Sequence, residues 1–367
     1  MHASEKFYQV ALSRIPQIGV VNARRLMSYM GTASAIFLAS RANLQKIPHI
    51  GPILADAVFQ KSYLQEAESI IRACEERDIS ILFYLDAHYP ERLKHIYDAP
   101  LILYYQGSSD LNQERSLAVV GTRKATDYGK RMTQALIEQS LGCPLLFVSG
   151  LAYGIDIEVH RQCIDLGVEN VAVLAGGFTY VYPAKHSRYL DQMVRHGGIL
   201  SEYPLHQKPD PRFFPLRNRI IAGMTDATVV VEAAVKGGAL ITADYANNYH
   251  REVFAVPGNL EKIFSEGCNA LIQKHKAIIY TGWDALAVQM NWLPTGDRIQ
   301  PKKQLSWSRL TEDETQLLAI LRKEGECSLD QLAWHLQKKV TDLVITLLNL
   351  EFQGIVKALP GYVYRIK

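Results

Sequence analysis

The densest group of anion-binding side chains lies in the segment 214–223, which has the sequence FPLRNRIIAG. Arg217 and Arg219 carry planar guanidinium groups whose geometry matches phosphate oxygens. The neighbouring rings of Phe213 and Phe214 would offer flat surfaces to unstacked bases. The segment therefore favours a ligand that carries repeated phosphates.

Pairing within the protein is the alternative for the same arginines. Charge clusters are often paired or solvated rather than free to bind a ligand. Under this interpretation the two arginines would pair with acids such as Glu202 or Glu232 at the start of a helix.

Glycine-rich loops follow four of the predicted strands. The carboxyl ends of parallel strands meet at one edge of a sheet, where helix N-termini expose free amides, so these loops should converge. Glycine permits close approach of the backbone to an oxyanion, and Arg123 and Lys236 would add positive charge. The four loops are Gly121-Thr122-Arg123-Lys124, 149–154 (SGLAYG), Gly176-Gly177 and Lys236-Gly237-Gly238-Ala239.

The familiar catalytic and nucleotide-binding motifs are missing from the sequence. It contains neither GxGxxG nor a phosphate-binding GxxxxGK[ST] loop, because seven residues separate Gly121 from Gly129 and Arg131 stands where Ser or Thr is required. Ser149 lacks the glycine two positions earlier that a nucleophile elbow needs, and there is no HExxH. A P-loop NTPase, an α/β-hydrolase and a zinc protease are all disfavoured.

Short β-branched runs alternate with helical stretches through the middle of the chain, which predicts an α/β domain with a mainly parallel sheet covered on both faces. The predicted strands are 117–120, 145–148, 171–174, 199–201, 228–231, 253–256 and 278–280. The predicted helices between them are 127–141, 155–166, 185–196 and 241–249.

Two copies of one pattern open the sequence. Segment 15–19 (IPQIG) leads into the predicted helix 20–30, and segment 47–51 (IPHIG) leads into 52–60. A proline-started turn and a glycine before a helix are typical of a helix-hairpin-helix or SAM-like domain, in which glycine amides can approach a phosphate. A plain helical bundle with proline-glycine turns is the alternative.

The C-terminal segment predicts three helices followed by a hairpin, which is the winged-helix plan. Helix 340–353 would be the recognition helix if DNA were bound, but its many leucines favour a core-forming role, so a DNA reader and a protein-interaction module both remain open. The predicted organisation is a helical domain 1–78, a Rossmann-like domain 79–290, a linker 291–305 and a winged-helix domain 306–367.

The composition sets outer limits on the function. The 367 residues are 48% apolar and 21% charged, as in a globular protein of two or three domains. A net charge of +3 excludes a polybasic tail as the means of binding nucleic acid. Five cysteines without a CxxC pair argue against structural zinc and disulfides, and no apolar run is long enough to span a membrane. We expect a cytoplasmic protein with no membrane association.

Taken together, the ordered motifs resemble those of the DNA-processing protein A family, also called DprA or Smf. The resemblance covers essentially the whole chain. The segments that carry it are 121–123, 149–156, 182–183, 201–204, 214–223, 236–243 and 256–258.

The resemblance implies a Rossmann-like domain without a nucleotide cofactor, a homodimer, and non-enzymatic binding of single-stranded DNA. It further implies protection of incoming DNA during natural transformation and loading of the recombinase RecA. The DNA contacts that it implies are Gly121, Thr122, Arg123, Ser149, Gly150, Gly176, Lys208, Arg212, Phe214, Arg217, Asn218, Arg219, Lys236, Gly237 and Gly238. On this basis Arg123→Ala or Arg217→Ala should weaken oligonucleotide binding without unfolding the protein.

Two other functions stay open at this point. A Rossmann-like phosphoribohydrolase acting on a nucleoside monophosphate would also combine a Ser-Gly loop with glycine-rich phosphate turns, although its acid-arginine grouping is not evident in the sequence. A scaffold whose basic edge contacts an acidic protein is the third interpretation.

Overall fold

The computed structural model describes residues 4–292, 311–352 and 355–366. The chain divides into two compact units, Met1–Asp297 and Arg298–Lys367. Most of the predicted linker 291–305 lies outside the described residues.

A nine-stranded sheet forms the centre of the first unit, in the order β1-β2-β6-β5-β4-β3-β7-β8-β9. Strands β3 to β9 are mutually parallel, and β2 joins β6 and β1 in antiparallel pairs. The strands are β1 Ser80–Phe83, β2 Ile102–Gly107, β3 Ser116–Val120, β4 Leu146–Ser149, β5 Asn170–Val173, β6 Gly197–Ser201, β7 Ala227–Val230, β8 Glu252–Ala255 and β9 Ile278–Ile279. The mainly parallel sheet is confirmed, and each strand predicted within it lies within two residues of its expected ends.

The direction of strand addition reverses at β3. Strands β4, β5 and β6 are added on one side of β3, and the chain then returns to place β7 on its other side. Leu117 of β3 pairs with Ala227 of β7, and Ser116 pairs with Leu146 of β4. In open α/β sheets a ligand crevice forms outside the carboxyl ends of the strands at such a reversal.

Both faces of the sheet are covered, as predicted. Ala118 and Val120 of β3 pack in a buried cluster with Ile220 and Ala243, which lie on helices of one face. Leu117 and Val119 point to the other face, where their cluster includes Leu136, Ile155 and Val159. Successive residues of β3 therefore face opposite sides of the sheet, as side chains do along any β-strand.

Fourteen α-helices lie in the described part of the first unit. They are α1 Glu5–Ser13, α2 Val20–Met30, α3 Ala33–Leu38, α4 Arg41–Gln45, α5 Pro52–Val58, α6 Lys61–Glu75, α7 Glu91–Lys94, α8 Asp127–Gln139, α9 Ile155–Leu166, α10 Leu190–Arg195, α11 Phe213–Gly223, α12 Gly238–Asn248, α13 Ile263–Gln273 and α14 Trp283–Gln289. A 3₁₀ helix spans Ala184–Tyr189.

The N-terminal helices share a core with the antiparallel edge of the sheet. Gly19 and Gly51 are the N-cap residues of α2 and α5, at the positions that the repeated pattern predicts. The buried cluster of α1 to α6 continues into the sheet through Phe83, Ile102 and Tyr104.

The second unit is a winged helix, as predicted. Its elements are α15 Glu312–Glu324, β10 Glu326–Ser328, α16 Leu329–Leu336, α17 Val340–Phe352, β11 Val356–Leu359 and β12 Val363–Ile366. Strand β10, which the sequence does not predict, pairs with β12 beside the β11–β12 hairpin. Leu343, Leu347 and Leu350 of α17 are buried in the core of this unit.

The exposed side of α17 is apolar and acidic. Val344, Ile345 and Leu348 are exposed, and the helix sequence VTDLVITLLNLEF contains neither Lys nor Arg. Cations that could contact phosphates therefore precede this helix, at Lys338 and Lys339, and do not lie on it.

Among the described residues, no helix combines the length and the apolar character needed to cross a bilayer.

Candidate nucleic-acid interface

A cleft of about 850 Å³ opens beside the carboxyl ends of β3 and β7, at the reversal of strand order. Its walls come from the loop after β3, from the first turns of α11 and from the N-terminus of α12. The predicted site residues that line it are Gly121, Thr122, Arg123, Phe214, Arg217, Asn218, Gly237 and Gly238. Gly150 and Gly176 line a small adjoining cleft that shares Phe214 and Arg217 with the first.

A cation and two aromatic rings stand together on the wall of the cleft. The guanidinium carbon of the exposed Arg123 lies 5.5 Å from the ring centroid of Phe214. The ring of Tyr182 meets the Phe214 ring edge-on at 5.6 Å and is 50% exposed. This arrangement can bind a phosphate and an unstacked base side by side.

The N-terminus of α12 contributes backbone donors to the same cleft. Gly237 is its N-cap residue and makes no side-chain cap hydrogen bond, and Gly238 follows as the first helical residue. The first amides of a helix have no intrahelical acceptor, and the helix dipole favours negative charge beside them. This end of the cleft is therefore suited to an anion.

Arg217 lies beneath the cleft and is only 4% exposed. Its Nη1 donates to the carbonyl oxygen of Gly150 at 2.7 Å and also to that of Val173. Burial lowers the pKa of Arg217 to about 10, and the nearby carboxylate of Asp156 opposes this shift, so the side chain stays protonated at neutral pH. Burial raises the pKa of Asp156, and Arg217 acts against that change.

Arg219 is held in a buried ion pair on another side of α11. Its Nη2 donates to the two carboxylate oxygens of Glu202 at 2.6 and 2.5 Å, and its Nη1 donates to the Asp98 carbonyl at 2.7 Å. Burial raises the pKa of Glu202, and Arg219 opposes that shift. The pairing with Glu202 is the alternative that the sequence left open, and it gives Arg219 a structural role instead of a place in the cleft.

Ser149 and Arg212 are also engaged within the protein and lie outside the set that lines the cleft. Ser149 is fully buried and its hydroxyl donates to the Val119 carbonyl oxygen at 2.7 Å. The exposed Arg212 donates from Nε and Nη2 to the Asp210 carboxylate at 2.9 and 3.0 Å. Asp210 thereby offsets the charge of Arg212.

The two predicted lysines are exposed and lie near the edges of the clefts. Lys236 immediately precedes Gly237, which lines the main cleft. The ammonium nitrogen of Lys208 lies 5.7 Å from the ring centroid of Tyr180, which lines the small adjoining cleft.

The loop that carries Arg123 is fixed by Glu232, whose role sequence reasoning missed. The Glu232 carbonyl accepts from the Thr122 amide at 2.7 Å, and its carboxylate accepts from the amide and hydroxyl of Thr126, the N-cap residue of α8, at 3.0 and 2.5 Å. Glu232 therefore ties the loop after β3 to the loop after β7, and it does not pair with either arginine of α11. The sequence showed an acid at a strand end but could not identify its partners.

Gly154 fixes the other side of the same loop. Its φ is +82°, and a Cβ atom there would overlap the carbonyl oxygen of Thr122. Only glycine allows this approach, because any side chain would need both an unfavourable backbone conformation and a displaced loop.

We expect Gly154→Ala to lower the free energy of unfolding by about 2 kcal/mol or more and to weaken ligand binding at the cleft, since the Thr122–Arg123 backbone must move. Chemical denaturation measures the first effect. Gly167→Ala is the matched control, because Gly167 ends the same helix with φ +67° and a Cβ atom added there would meet no other atom within 4 Å. Equal losses in the two variants would show that the loop contact is unimportant.

Comparison with known proteins identifies the same architecture. The family model described as DNA recombination-mediator protein A matches residues 80–291, and the DprA winged helix domain matches residues 301–362. Protein Smf of Synechocystis sp. is 30% identical over all of both chains. The X-ray structure of DprA from Streptococcus pneumoniae is 29% identical, with a TM-score of 0.66, over 79% of this chain and 99% of that one.

A second solved structure concerns DNA binding. It addresses the single-stranded DNA binding mode of DNA processing protein A from Helicobacter pylori. It is 25% identical to this chain, with a TM-score of 0.53, and covers 58% of this chain and 95% of that one.

Proposed function

The chain belongs to the family of DNA recombination-mediator protein A, the DprA/Smf proteins, and we propose on that basis that it binds single-stranded DNA in the cleft beside β3 and β7, without catalysis. The observation that carries the proposal is the contact between the exposed Arg123 and the Phe214 ring at the reversal of strand order. The guanidinium of Arg123 can bind a phosphate, and the ring of Phe214 gives a surface on which a base can stack.

The preference for single strands follows from the same pair. Duplex DNA hides the faces of its bases, so the Phe214 ring can stack only on an unpaired base. The amides at the α12 N-terminus and the guanidinium of Arg123 would hold adjoining phosphates whatever the sequence. We therefore expect binding that depends on salt but tolerates any base sequence.

The cellular role that we propose rests on family membership. Bound strands would be protected during natural transformation and passed to RecA, with the protein acting as a homodimer in the cytoplasm. The relatives named DNA processing protein DprA support the general role.

The phosphoribohydrolase alternative finds little support in the geometry. Asp156 and Arg217 adjoin the cleft, but both are buried, and two donors of Arg217 are directed at the carbonyls of Gly150 and Val173. The donors of Arg217 would have to leave these carbonyls before the side chain could hold a substrate. Release of free base from a nucleoside monophosphate would favour the enzyme and contradict our proposal.

The experiment that tests the proposed function compares Arg123→Ala with the unchanged protein. Fluorescence anisotropy would follow binding of a single-stranded oligothymidylate and of a duplex at two salt concentrations. We expect the variant to bind the single strand about tenfold more weakly, and the slope of log K against log salt to fall in magnitude by about 0.7, since one phosphate contact is lost.

Arg72→Ala is the matched control, because it removes the same charge from an exposed position on α6. It should leave both the affinity and the salt slope nearly unchanged. If Arg123→Ala behaves like Arg72→Ala, the cleft is not the DNA site.

A further inference from the structure

The arrangement of Arg123 on Phe214 has a counterpart farther along the same surface. The ammonium nitrogen of Lys208 lies 5.7 Å from the centroid of the Tyr180 ring, compared with 5.5 Å from Arg123 to Phe214. Tyr180 is 40% exposed and Lys208 is exposed as well. Both pairs therefore offer an aromatic surface and a cation to solvent.

Tyr182 connects the two pairs. It lies two residues from Tyr180 and meets the Phe214 ring edge-on at 5.6 Å. Tyr180, Tyr182 and Phe214 all line the small cleft that adjoins the main one. Three partly exposed rings thus line one small cleft.

Backbone hydrogen bonds hold the second pair in place. The Thr179 amide donates to the Leu205 carbonyl at 3.1 Å, and the Gly177 amide donates to the Gln207 carbonyl at 2.8 Å. These bonds join the segment that carries Tyr180 to the segment that ends at Lys208. The proximity of the ring and the ammonium group is therefore set by the backbone as well as by the side-chain rotamers.

Single-strand binding proteins use such a series of rings and cations to hold successive nucleotides. We propose that Tyr180, Tyr182 and Lys208 form a second nucleotide subsite, which takes the base and the phosphate next along the strand from those at Phe214. The ligand is an unpaired nucleic-acid strand of any sequence. This inference rests on the proposed function, because it extends the same DNA path.

The test measures affinity for oligothymidylates of increasing length. The unchanged protein should gain affinity in a step when the strand becomes long enough to reach the second subsite. We expect this step to be a gain of about tenfold in affinity. Tyr180→Ala should remove it while leaving the affinity for the shortest strands unchanged. Tyr180→Phe keeps the ring and should retain the step, and Tyr29→Ala, at an exposed tyrosine of α2, should have no effect at any length.

An abasic oligonucleotide gives an independent readout. An oligonucleotide that lacks the base at the second subsite should bind the unchanged protein as weakly as the complete strand binds Tyr180→Ala, and the variant should not distinguish the two strands. Lys208→Gln should reduce the salt slope only for the longer strands.

The outcomes distinguish failure of the second subsite from failure of the proposed DNA binding itself. If Arg123→Ala weakens binding but Tyr180→Ala has no effect, or weakens short and long strands equally, the second subsite is overturned and the first stands. If Arg123→Ala has no effect on any strand, the proposed function itself fails.

Discussion

Replacing Arg217 by alanine is expected to lower the free energy of unfolding by about 3 kcal/mol, because the buried carboxylate of Asp156 loses the stronger of the two cations that act on it. The side chain is 4% exposed and donates to the carbonyls of Gly150 and Val173, which would also lose a donor. Denaturant unfolding followed by tryptophan fluorescence measures the loss. This expectation replaces the one drawn from the sequence, in which Arg217→Ala weakened binding without affecting the fold.

The pH dependence of the same variant has a defined sign. Burial raises the pKa of Asp156, and removing Arg217 removes the charge that opposes this shift most strongly, while the amides of Ala152 and Gly150 and the guanidinium of Arg123 remain. The folded variant would then bind a proton more tightly than the unfolded chain, so its stability falls as the pH rises. The loss of stability caused by Arg217→Ala should therefore become smaller as the pH is lowered towards the ordinary pKa of an aspartate.

A double-mutant cycle controls for the loss of packing. Adding Asp156→Asn to Arg217→Ala should recover part of the lost stability, since no uncompensated charge remains. Arg123→Ala, at an exposed position, should change the free energy of unfolding by less than about 0.5 kcal/mol. An Arg217→Ala variant that is fully stable but fails to bind DNA would show that Arg217 is a free phosphate ligand instead.

Replacing Phe214 by alanine is expected to weaken single-strand binding by about 1–3 kcal/mol, the usual contribution of a stacked base. Duplex binding should fall much less, because phosphates remain accessible to Arg123 while the bases of a duplex are already stacked. Parallel titrations of a single strand and a duplex measure the difference.

The Phe214 experiment has its own controls. Phe214→Trp retains an aromatic surface beside Arg123 and should preserve the preference for single strands. The ring of Phe214 is partly buried, so unfolding of each variant must be measured beside its binding. Equal losses for single strand and duplex would remove stacking as the source of selectivity.

The sheet could be predicted because its strands are short, buried on both faces and rich in β-branched residues. Parallel topology then places every loop that follows such a strand at one edge, which is why Gly121, Arg123 and Gly237 are expected to meet. Helix α9 begins and ends at the predicted residues, since the glycines Gly154 and Gly167 flank it. These features depend on local sequence and on a general rule of topology.

The fates of the two arginines in α11 could not be predicted in the same way. Positions two apart on a helix point in different directions, so Arg217 and Arg219 cannot both face one ligand site. Their partners are also distant in sequence, with Gly150 lying 67 residues from Arg217 and Glu202 lying 17 residues from Arg219. Only the tertiary fold shows that one supports the cleft from below and the other forms an ion pair elsewhere.

The core shared by the N-terminal helices and the antiparallel strands has a consequence for truncation. A fragment that begins at β1 would expose Phe83, Ile102 and Tyr104, which the helices otherwise keep from water. The family model itself begins at residue 80. Any member of the family that lacks the helical segment therefore needs either polar residues at these three positions or another element to shield that side of its sheet.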